Sequence, residues 1–186
     1  MIVAPDYEEG VLDILFSKKN RIILRLKSNE FPSVTYKSAI NGILMQERDI
    51  HTETEKDFQA VTEKTVENKD VADLIFANKI VKHSRSNAIV LAKGKQLLAS
   101  GIGQTSRVDS LRQAIEKAKS FNFDLHGAVL ASDAYFPFPD CVEIASEAGI
   151  TAIVQPGGSI RDQESIDACN KSQIAMVFTG YRHFKH

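Results

Sequence analysis

The sequence lacks the features that staple small secreted proteins or anchor proteins in membranes. It has two cysteines, Cys141 and Cys169, which give neither a disulfide framework nor a metal-ligand spacing and are expected to be buried, reduced thiols. No apolar run approaches the roughly 20 residues that a membrane-spanning helix needs. The N-terminus also lacks the basic, apolar and small-residue pattern of a secretion signal. These absences predict a cytoplasmic protein.

An excess of charge of one sign is lacking too. The formal net charge is -1, from 23 basic and 24 acidic residues, which argues against the basic surfaces that bind nucleic acids or membranes. Any anion site must therefore be local and built from a few arginines. The five histidines are scattered, and the zinc deaminase signature, which couples a His-x-Glu to a Pro-Cys-x-x-Cys, is not met. The sequence therefore predicts no metal centre.

What is present is a regular alternation of apolar runs and amphipathic stretches over 186 residues. Residues 27–40 are polar and broken by Pro32, residues 43–45 continue in extended form, and residues 46–56 are highly charged. The alternation predicts a layered α/β fold, with a largely parallel or mixed sheet and helices on both faces. The predicted strands are 1–4, 22–24, 87–92, 96–101, 127–131, 151–154 and 174–178, and the predicted helices are 6–18 (capped by Asp6), 68–83, 107–120, 140–148 and 160–170.

Three segments near the C-terminus are hard to explain by folding alone: residues 132–140, 155–162 and 179–184. The first interleaves three aromatic residues with two prolines, which disrupt helices and sheet ladders alike. Each segment follows a predicted strand, and ligands of open α/β sheets bind beyond the carboxyl ends of the strands. We therefore expect these segments to form a ligand-binding surface.

Two further positions allow either a functional or a structural interpretation. The glycine-rich segment 101–107 resembles an anion-binding helix start with Arg107 as an added donor, or else a glycine turn with Ser106 as N-cap and a solvated arginine. Asn87, at the start of an apolar strand, either closes a turn or donates to a developing oxyanion.

The last two segments leave the same kind of choice. Ser159 is expected to cap the following helix, with Arg161 pairing with Asp162 or with a neighbouring subunit. Arg182 lies either on a frayed basic tail or, because it closely follows the strand at 174–178, near the sheet and ready to bind a phosphate.

Taken in order, these segments closely resemble the C-terminal half of the AICAR transformylase domain in the bifunctional purine-biosynthesis family, which pairs a formyltransferase with IMP cyclohydrolase. The resemblance runs from near the first residue to the last and implies a cytidine deaminase-like fold without zinc. The matching segments are residues 4–8, 18–20, 42–44, 86–90, 101–107, 131–138, 155–159 and 182–186.

The resemblance implies that a formyl group passes from 10-formyltetrahydrofolate, the co-substrate, to the 5-amino group of AICAR ribonucleotide, with no metal. Asn87 and Arg107 would hold the carboxamide and the reacting formyl oxygen, so Asn87 is the implied catalytic residue. Tyr135, where relatives usually have Phe, would stack on the imidazole, and Arg182 would meet the phosphate.

The resemblance also implies a folate pocket and a partner subunit. The folate would contact Val108, Pro137, Phe138 and Asp140, and the active sites of the family lie at a homodimer interface. Removing a neighbouring lobe would expose apolar surface, which also predicts self-association.

The family's proton transfer depends on a Lys-His pair in the first half of the transformylase domain, upstream of every matching segment. Lys82 and His83 lie at the wrong place in that order, and we interpret them as a helix C-terminal pair whose cations face the negative end of the dipole. Residues 1–186 are thus expected to be a C-terminal lobe that begins mid-domain, lacks the cyclohydrolase domain and the N-terminal transformylase lobe, and is inactive alone. One alternative is a free-standing, non-catalytic α/β module that binds AICAR, a folate or another purine nucleotide. The other is an isolated lobe that folds but binds no ligand measurably.

Overall fold

A computed structural model describes residues 1–28 and 30–185 of the chain. Their contacts divide into an N-terminal unit, Met1–Ile50, and a C-terminal unit, His51–His186. His186, the last residue of the closing family-like segment, lies outside the described residues. None of the helices within the described ranges combines the length and apolar character that a bilayer crossing requires.

The N-terminal unit has little regular structure. Strands β1 and β2 pair in parallel, β3 and β4 form an antiparallel hairpin, and one short helix, α1, lies between β1 and β2 in the chain. The bounds are β1 Ile2–Ala4, α1 Val11–Phe16, β2 Ile23–Arg25, β3 Val34–Ala39 and β4 Gly42–Glu47.

Two predictions for this unit were wrong in part. The helix predicted over 6–18 begins only after Gly10, which has a left-handed backbone with φ of 77°, and Asp6 accepts a hydrogen bond from the Tyr7 N–H instead of capping it. The strand predicted at 22–24 is present with a one-residue shift, but it is not buried, since the side chains of Ile22 and Leu24 are largely exposed.

The C-terminal unit is built on a six-stranded sheet in the order β5-β10-β9-β8-β6-β7. β8, β9 and β10 are mutually parallel, while β5, β6 and β7 each run antiparallel to a neighbour, so the sheet is mixed. The bounds are β5 Gln59–Ala60, α2 Asn68–Lys82, β6 Ile89–Lys93, β7 Gln96–Gly101, α3 Arg107–Ser120, β8 Val129–Ser132, α4 Asp140–Glu147, β9 Ala152–Gln155, α5 Asp162–Lys171 and β10 Ala175–Phe178.

Helices cover both faces of this sheet, as predicted. Its four central strands are almost wholly buried, which explains their continuous apolar runs. One face packs against α2 through Leu74, Ala77 and Val81. The opposite face packs against α3, α4 and α5, and this larger cluster contains both cysteines.

The strand directions bring six segments to one edge of the sheet. The parallel strands β8, β9 and β10 end there. β6 runs the other way and begins there, with Ile89 opposite Ser132, and β7 ends there, with Gly101 opposite Ile89. β5 also begins there, since Gln59 pairs with Phe178 at the end of β10. The three unusual segments, the start of α3, the residues before β6 and the residues before β5 therefore share this edge.

Candidate functional site

Arg107 is the first residue of α3, and its side chain is only 10% exposed. The Ser106 hydroxyl caps this helix by accepting from the Asp109 N–H at 3.1 Å, so the cap was predicted correctly. The accompanying prediction that the Arg107 side chain is solvated was wrong, because its guanidinium group points toward the edge of the sheet. There, Nη2 lies 3.1 Å from Asp133 Oδ1, Nη1 donates to Asn87 Oδ1 at 2.8 Å, and Nε donates to the Ala134 carbonyl at 3.3 Å.

The Arg107–Asp133 pair is a buried ion pair. Burial lowers the pKa of the Arg107 guanidinium, and the Asp133 carboxylate opposes that shift. Arginine still keeps its charge, because its ordinary pKa is so high. Asp133 is fully buried, and its Oδ2 has no hydrogen-bond partner among the described residues. Three of the five guanidinium N–H groups are therefore used within the protein, and two remain on the partly exposed Arg107 side chain for a ligand.

Asn87 lies just before β6, with its carboxamide held at both ends. Its oxygen accepts from Arg107, and its amide nitrogen donates to the Gln104 carbonyl at 2.9 Å. The Ser110 hydroxyl on α3 also donates to the main-chain carbonyl of Asn87 at 2.9 Å. These bonds fix the orientation of the amide and leave one of its two N–H groups for another acceptor.

Aromatic rings connect Arg107 with Arg182. The Arg107 guanidinium carbon lies 5.8 Å from the centre of the Phe184 ring, and that of Arg182 lies 4.9 Å from the same ring. Arg182 is also 5.5 Å from the centre of the Tyr135 ring. Positions 107, 135 and 182, far apart in the sequence, therefore meet in one run of alternating guanidinium groups and rings.

The segment that carries Arg182, residues 179–185, is here called the C-terminal arm, and it is tied down along its length. Lys185 and Ser86 exchange two hydrogen bonds of 2.9 Å, from the Ser86 N–H to the Lys185 carbonyl and from the Lys185 N–H to the Ser86 hydroxyl. The His183 N–H donates to the Asp133 carbonyl at 2.9 Å, and the Gly180 N–H donates to Pro156 at 3.0 Å. Of the two interpretations of Arg182, the frayed tail is therefore wrong.

The residues that the resemblance assigns to the folate lie at the same edge. Pro137, Phe138 and Asp140 occupy the loop between β8 and α4 and the first position of α4. Phe138 is 47% exposed, and the Arg161 guanidinium lies 4.5 Å from its ring centre. Val108 follows Arg107 on α3 and is partly buried against the core.

The loop between β9 and α5 differs from its prediction. Helix α5 begins at Asp162, and Ser159 does not cap it. Instead the Asp162 carboxylate accepts from the Gly158 and Ser159 N–H groups at 2.7 and 3.1 Å. Arg161 pairs with Glu164, at 2.6 and 2.7 Å, rather than with Asp162.

The predicted place of Lys82 and His83 at a helix C-terminus is confirmed, since α2 ends at Lys82 and His83 follows as its C-cap, but the Lys82 ammonium group also has specific partners that were not predicted. Lys82 is buried near the end of α2, and its Nζ donates to the His51 carbonyl and to the Thr52 hydroxyl. The lysine therefore fixes the segment that leads into β5. His83 is exposed at the end of the helix.

A second buried polar cluster was missed in the sequence. His183 Nε2 lies 2.7 Å from Glu53 Oε1, and Asn78 donates to Glu53 Oε2 at 2.9 Å. Glu53 and His183 are 3% and 2% exposed. Glu53 stands in a charged stretch with no period that would mark it as buried. The His-x-Glu spacing of the zinc deaminase signature was also overlooked at His51 and Glu53, but this carboxylate faces His183 and Asn78.

The cysteines are buried, as predicted, and burial raises the pKa of both thiols to about 12. Within residues 1–28 and 30–185, no group of three or more His, Cys, Asp or Glu side chains is arranged to hold a metal ion.

These features define a layered α/β domain with a cationic, aromatic-lined candidate site at one edge of a mixed sheet. Residues 1–117 match the family described as AICARFT/IMPCHase bienzyme. The chain belongs to this family.

Relatives over the full chain agree with that assignment. The chain is 61% identical over 186 residues to the bifunctional purine biosynthesis protein PurH of Bacteroides thetaiotaomicron and 50% identical over 186 residues to that of Aquifex aeolicus. All of this chain is covered, but only 37% and 36% of those proteins, so the chain spans little more than a third of their length.

Similarity to solved structures is more remote. A dCMP deaminase from the cyanophage S-TIM5 matches with a TM-score of 0.44 and 13% identity, covering 60% of this chain and 98% of that one. A diaminohydroxyphosphoribosylaminopyrimidine deaminase/5-amino-6-(5-phosphoribosylamino)uracil reductase from Thermotoga maritima matches with a TM-score of 0.38 and 22% identity, covering 55% of this chain and 33% of that one.

Proposed function

We propose that this chain carries the nucleotide-binding part of an AICAR formyltransferase, which transfers a formyl group from 10-formyltetrahydrofolate to AICAR ribonucleotide in purine biosynthesis. The observation that supports this most is the run of guanidinium groups and rings from Arg107 to Tyr135. A phosphorylated ligand with a flat ring and a carboxamide needs a cation, an aromatic face and amide-directed donors at one place. The family and the relatives support the same conclusion.

The phosphate, the imidazole ring and the carboxamide of the nucleotide each have a matching side chain in this proposal. Arg182, exposed on the C-terminal arm, binds the phosphate, since a guanidinium fork suits phosphate oxygens. The half-buried ring of Tyr135 stacks on the imidazole. Asn87 and Arg107 hold the carboxamide and the formyl oxygen with the N–H groups that remain after their mutual bond.

The chemistry suits donors that are fixed in advance. The AICAR amine is a poor nucleophile, because its lone pair is delocalised into the ring and the carboxamide. Its attack on the formyl carbon creates a tetrahedral oxyanion, which is stabilised by donors already aimed at it. Asn87 and Arg107 are held by each other and by neighbouring carbonyls, so little reorganisation is needed during the reaction. The folate would lie along Val108, Pro137, Phe138 and Asp140, beside the nucleotide.

Proton transfer requires a group that titrates near neutral pH. The resemblance assigns that step to a Lys-His pair outside these 186 residues. We therefore propose that the chain works with a second transformylase lobe, in a homodimer in the cytoplasm, and does not turn over alone.

Calorimetric titration with AICAR ribonucleotide tests the binding part of this proposal. Arg182→Ala should weaken nucleotide affinity strongly, and it should not affect the corresponding riboside, which lacks the phosphate. Arg112→Ala removes an exposed arginine from helix α3, and it serves as the matched control. Equal nucleotide affinity in wild type and Arg182→Ala would refute the phosphate role.

A formyl-transfer assay tests the catalytic part. The pure chain should be inactive with AICAR ribonucleotide and 10-formyltetrahydrofolate, and activity should appear when the Lys-His-bearing lobe of a relative is added in trans. Turnover by the pure chain would contradict the dependence on a second lobe. Nucleotide binding without turnover, even with that lobe present, would favour the non-catalytic module.

A further inference from the structure

The buried cluster of Glu53, His183 and Asn78 lies beneath the C-terminal arm. The arm's neighbouring side chains at 182 and 184 face the site, while the His183 side chain turns inward and lies 2.7 Å from Glu53 Oε1. Asn78, on α2, binds the other oxygen of the same carboxylate at 2.9 Å. Both carboxylate oxygens are thus engaged between a helix of the core and the arm.

We propose that Glu53 is a positioning residue, which sets the place of Arg182 and Phe184 in the site by holding the His183 side chain. This inference rests on the proposed phosphate role of Arg182. Glu53 would act on Arg182 and Phe184 through His183.

The rest of the arm explains why such an anchor is needed. Tyr181, Arg182 and Lys185 are exposed and Phe184 is only half-buried, so apolar burial holds this segment weakly, although the Tyr181 ring stacks on His51 with 3.6 Å between ring centres. The Lys185–Ser86 bonds fix its far end, and the Gly180–Pro156 bond fixes its start. Between them, His183 provides the deeply buried side chain, and its N–H donates to the Asp133 carbonyl. His183 therefore connects Arg182, which precedes it in the chain, with Asp133, the partner of Arg107.

Glu53 is in turn well placed to serve as a fixed point. Lys82 holds the His51 carbonyl and the Thr52 hydroxyl, two residues and one residue before it. The Thr54 N–H donates to the Asp57 carboxylate at 2.8 Å immediately after it. The connection thus runs from α2 to the segment before β5, then to His183 and finally to Arg182.

A buried polar contact of this kind contributes more to a unique geometry of the arm than to the folding stability of the domain. Polar pairs in a protein interior can often be replaced by apolar residues without loss of stability, and their clearest use is in specifying a unique geometry. An arm that is correctly placed for only part of the time lowers the apparent ligand affinity by that fraction. Loss of the anchor should therefore reduce phosphate binding even if the fold is kept.

The first test needs no ligand. In the 186-residue chain, the Tyr135 and Phe184 rings should displace the NMR signals of the Arg182 side chain by ring-current shifts. Glu53→Ala should move these signals toward the values of an unstructured arginine, whereas Glu53→Gln should retain most of the displacement, because an amide can still bond to both neighbours. Glu55→Ala removes an exposed carboxylate from the same segment and should change nothing.

If Glu53→Ala does not fold, His183→Ala removes the same contact from the arm side and leaves the Glu53–Asn78 bond in the core. Unchanged Arg182 signals in whichever of these two variants folds would overturn the inference.

The second test separates this inference from the proposed function. Glu53→Ala should weaken AICAR ribonucleotide binding about tenfold if the arm is correctly placed for about a tenth of the time, with no change for the riboside. It should have no further effect in an Arg182→Ala background. If Arg182→Ala alone leaves nucleotide affinity unchanged, the proposed phosphate role fails. If Arg182→Ala weakens binding and folded Glu53→Ala does not, only the positioning role fails.

Discussion

The ion pair between Arg107 and Asp133 gives the sharpest stability prediction. Asp133→Ala would leave a guanidinium that is 10% exposed without its counter-charge. Removing one partner of a buried ion pair typically costs about 3–5 kcal/mol. A domain of ordinary stability has about 5–15 kcal/mol in total. The variant should therefore lose about a fifth or more of its free energy of unfolding.

Two companion substitutions separate charge from shape. Asp133→Asn keeps an oxygen near the Arg107 Nη2 and removes the charge, so it should cost less, about 1–3 kcal/mol. Replacing both residues with leucine, in Arg107→Leu/Asp133→Leu, should cost less than Asp133→Ala alone, because no unpaired charge remains in the interior.

Urea unfolding followed by far-ultraviolet circular dichroism measures these differences. The denaturant slopes must agree between variants for the free energies to be compared. The matched control is Glu164→Ala, which breaks an exposed pair with Arg161, and surface pairs contribute little. A loss below about 1 kcal/mol for Asp133→Ala would mean that water reaches the guanidinium, and the argument from burial would then be wrong.

Three further predictions concern the thiols, a close helix contact and the aromatic ring of the site. Burial raises the pKa of Cys141 and Cys169 from 9.0 to about 12, so the stability they contribute is complete below pH 9.0 and is lost as the pH rises toward 12. Between about pH 8 and about pH 10.5, the free energy of unfolding measured with urea should therefore decrease less in Cys141→Ala/Cys169→Ala than in wild type. Equal decreases would contradict the raised thiol pKa values. Gly101→Ala should destabilise the C-terminal unit by about 1–3 kcal/mol in thermal unfolding, because its new Cβ would collide with the Ser110 carbonyl on α3; a neutral result would show that α3 can shift. Tyr135→Phe should keep AICAR ribonucleotide affinity in calorimetry and Tyr135→Leu should lower it, whereas equal affinity in all three proteins would exclude stacking.

The helices and strands of the C-terminal unit were largely predictable. Helix α3 has the bounds that its pattern predicts, because Ser106 supplies a side-chain cap and the apolar positions recur on one face. Helix α1 was predicted too long, because its charges fit a helix from residue 6 while Gly10 adopts a left-handed backbone. Helix bounds are therefore predicted correctly only where the backbone conformation at the helix end matches the side-chain signals there.

Strand direction and pairing were less predictable. Alternation of strands and helices indicates a parallel sheet, and β8, β9 and β10 follow that rule. The short strand β5 had no signal of its own, since its two residues, Gln59 and Ala60, are exposed. It is defined by its pairing with β10, more than a hundred residues away in the sequence. Such partners are decided by the whole fold rather than by a local pattern.

The same reason explains which site residues could be anticipated. The segments around Arg107, Tyr135 and Arg182 attract notice because their glycines, prolines and rings are unusual in sequence. Glu53 does not, since its meaning depends on His183, which is 130 positions away. Asp133 lies within the unusual segment 132–140, but its role as the counter-charge of Arg107 comes from the three-dimensional structure.

The mixed sheet also bears on how the candidate site divides its work. In a purely parallel sheet only strand ends would meet at this edge, but here β6 and β5 begin where β8 and β10 end. Arg107 is thus held from within the sheet by Asn87 and Asp133, whereas Arg182 is held from outside by the C-terminal arm. These two supports meet at the Asp133 carbonyl, which receives the His183 N–H, and at the Phe184 ring, which lies 5.8 Å from the Arg107 guanidinium carbon. Substitution of Arg182 should therefore affect recognition of the phosphate and leave the donors for the carboxamide in place, while substitutions of Asp133 should disturb both.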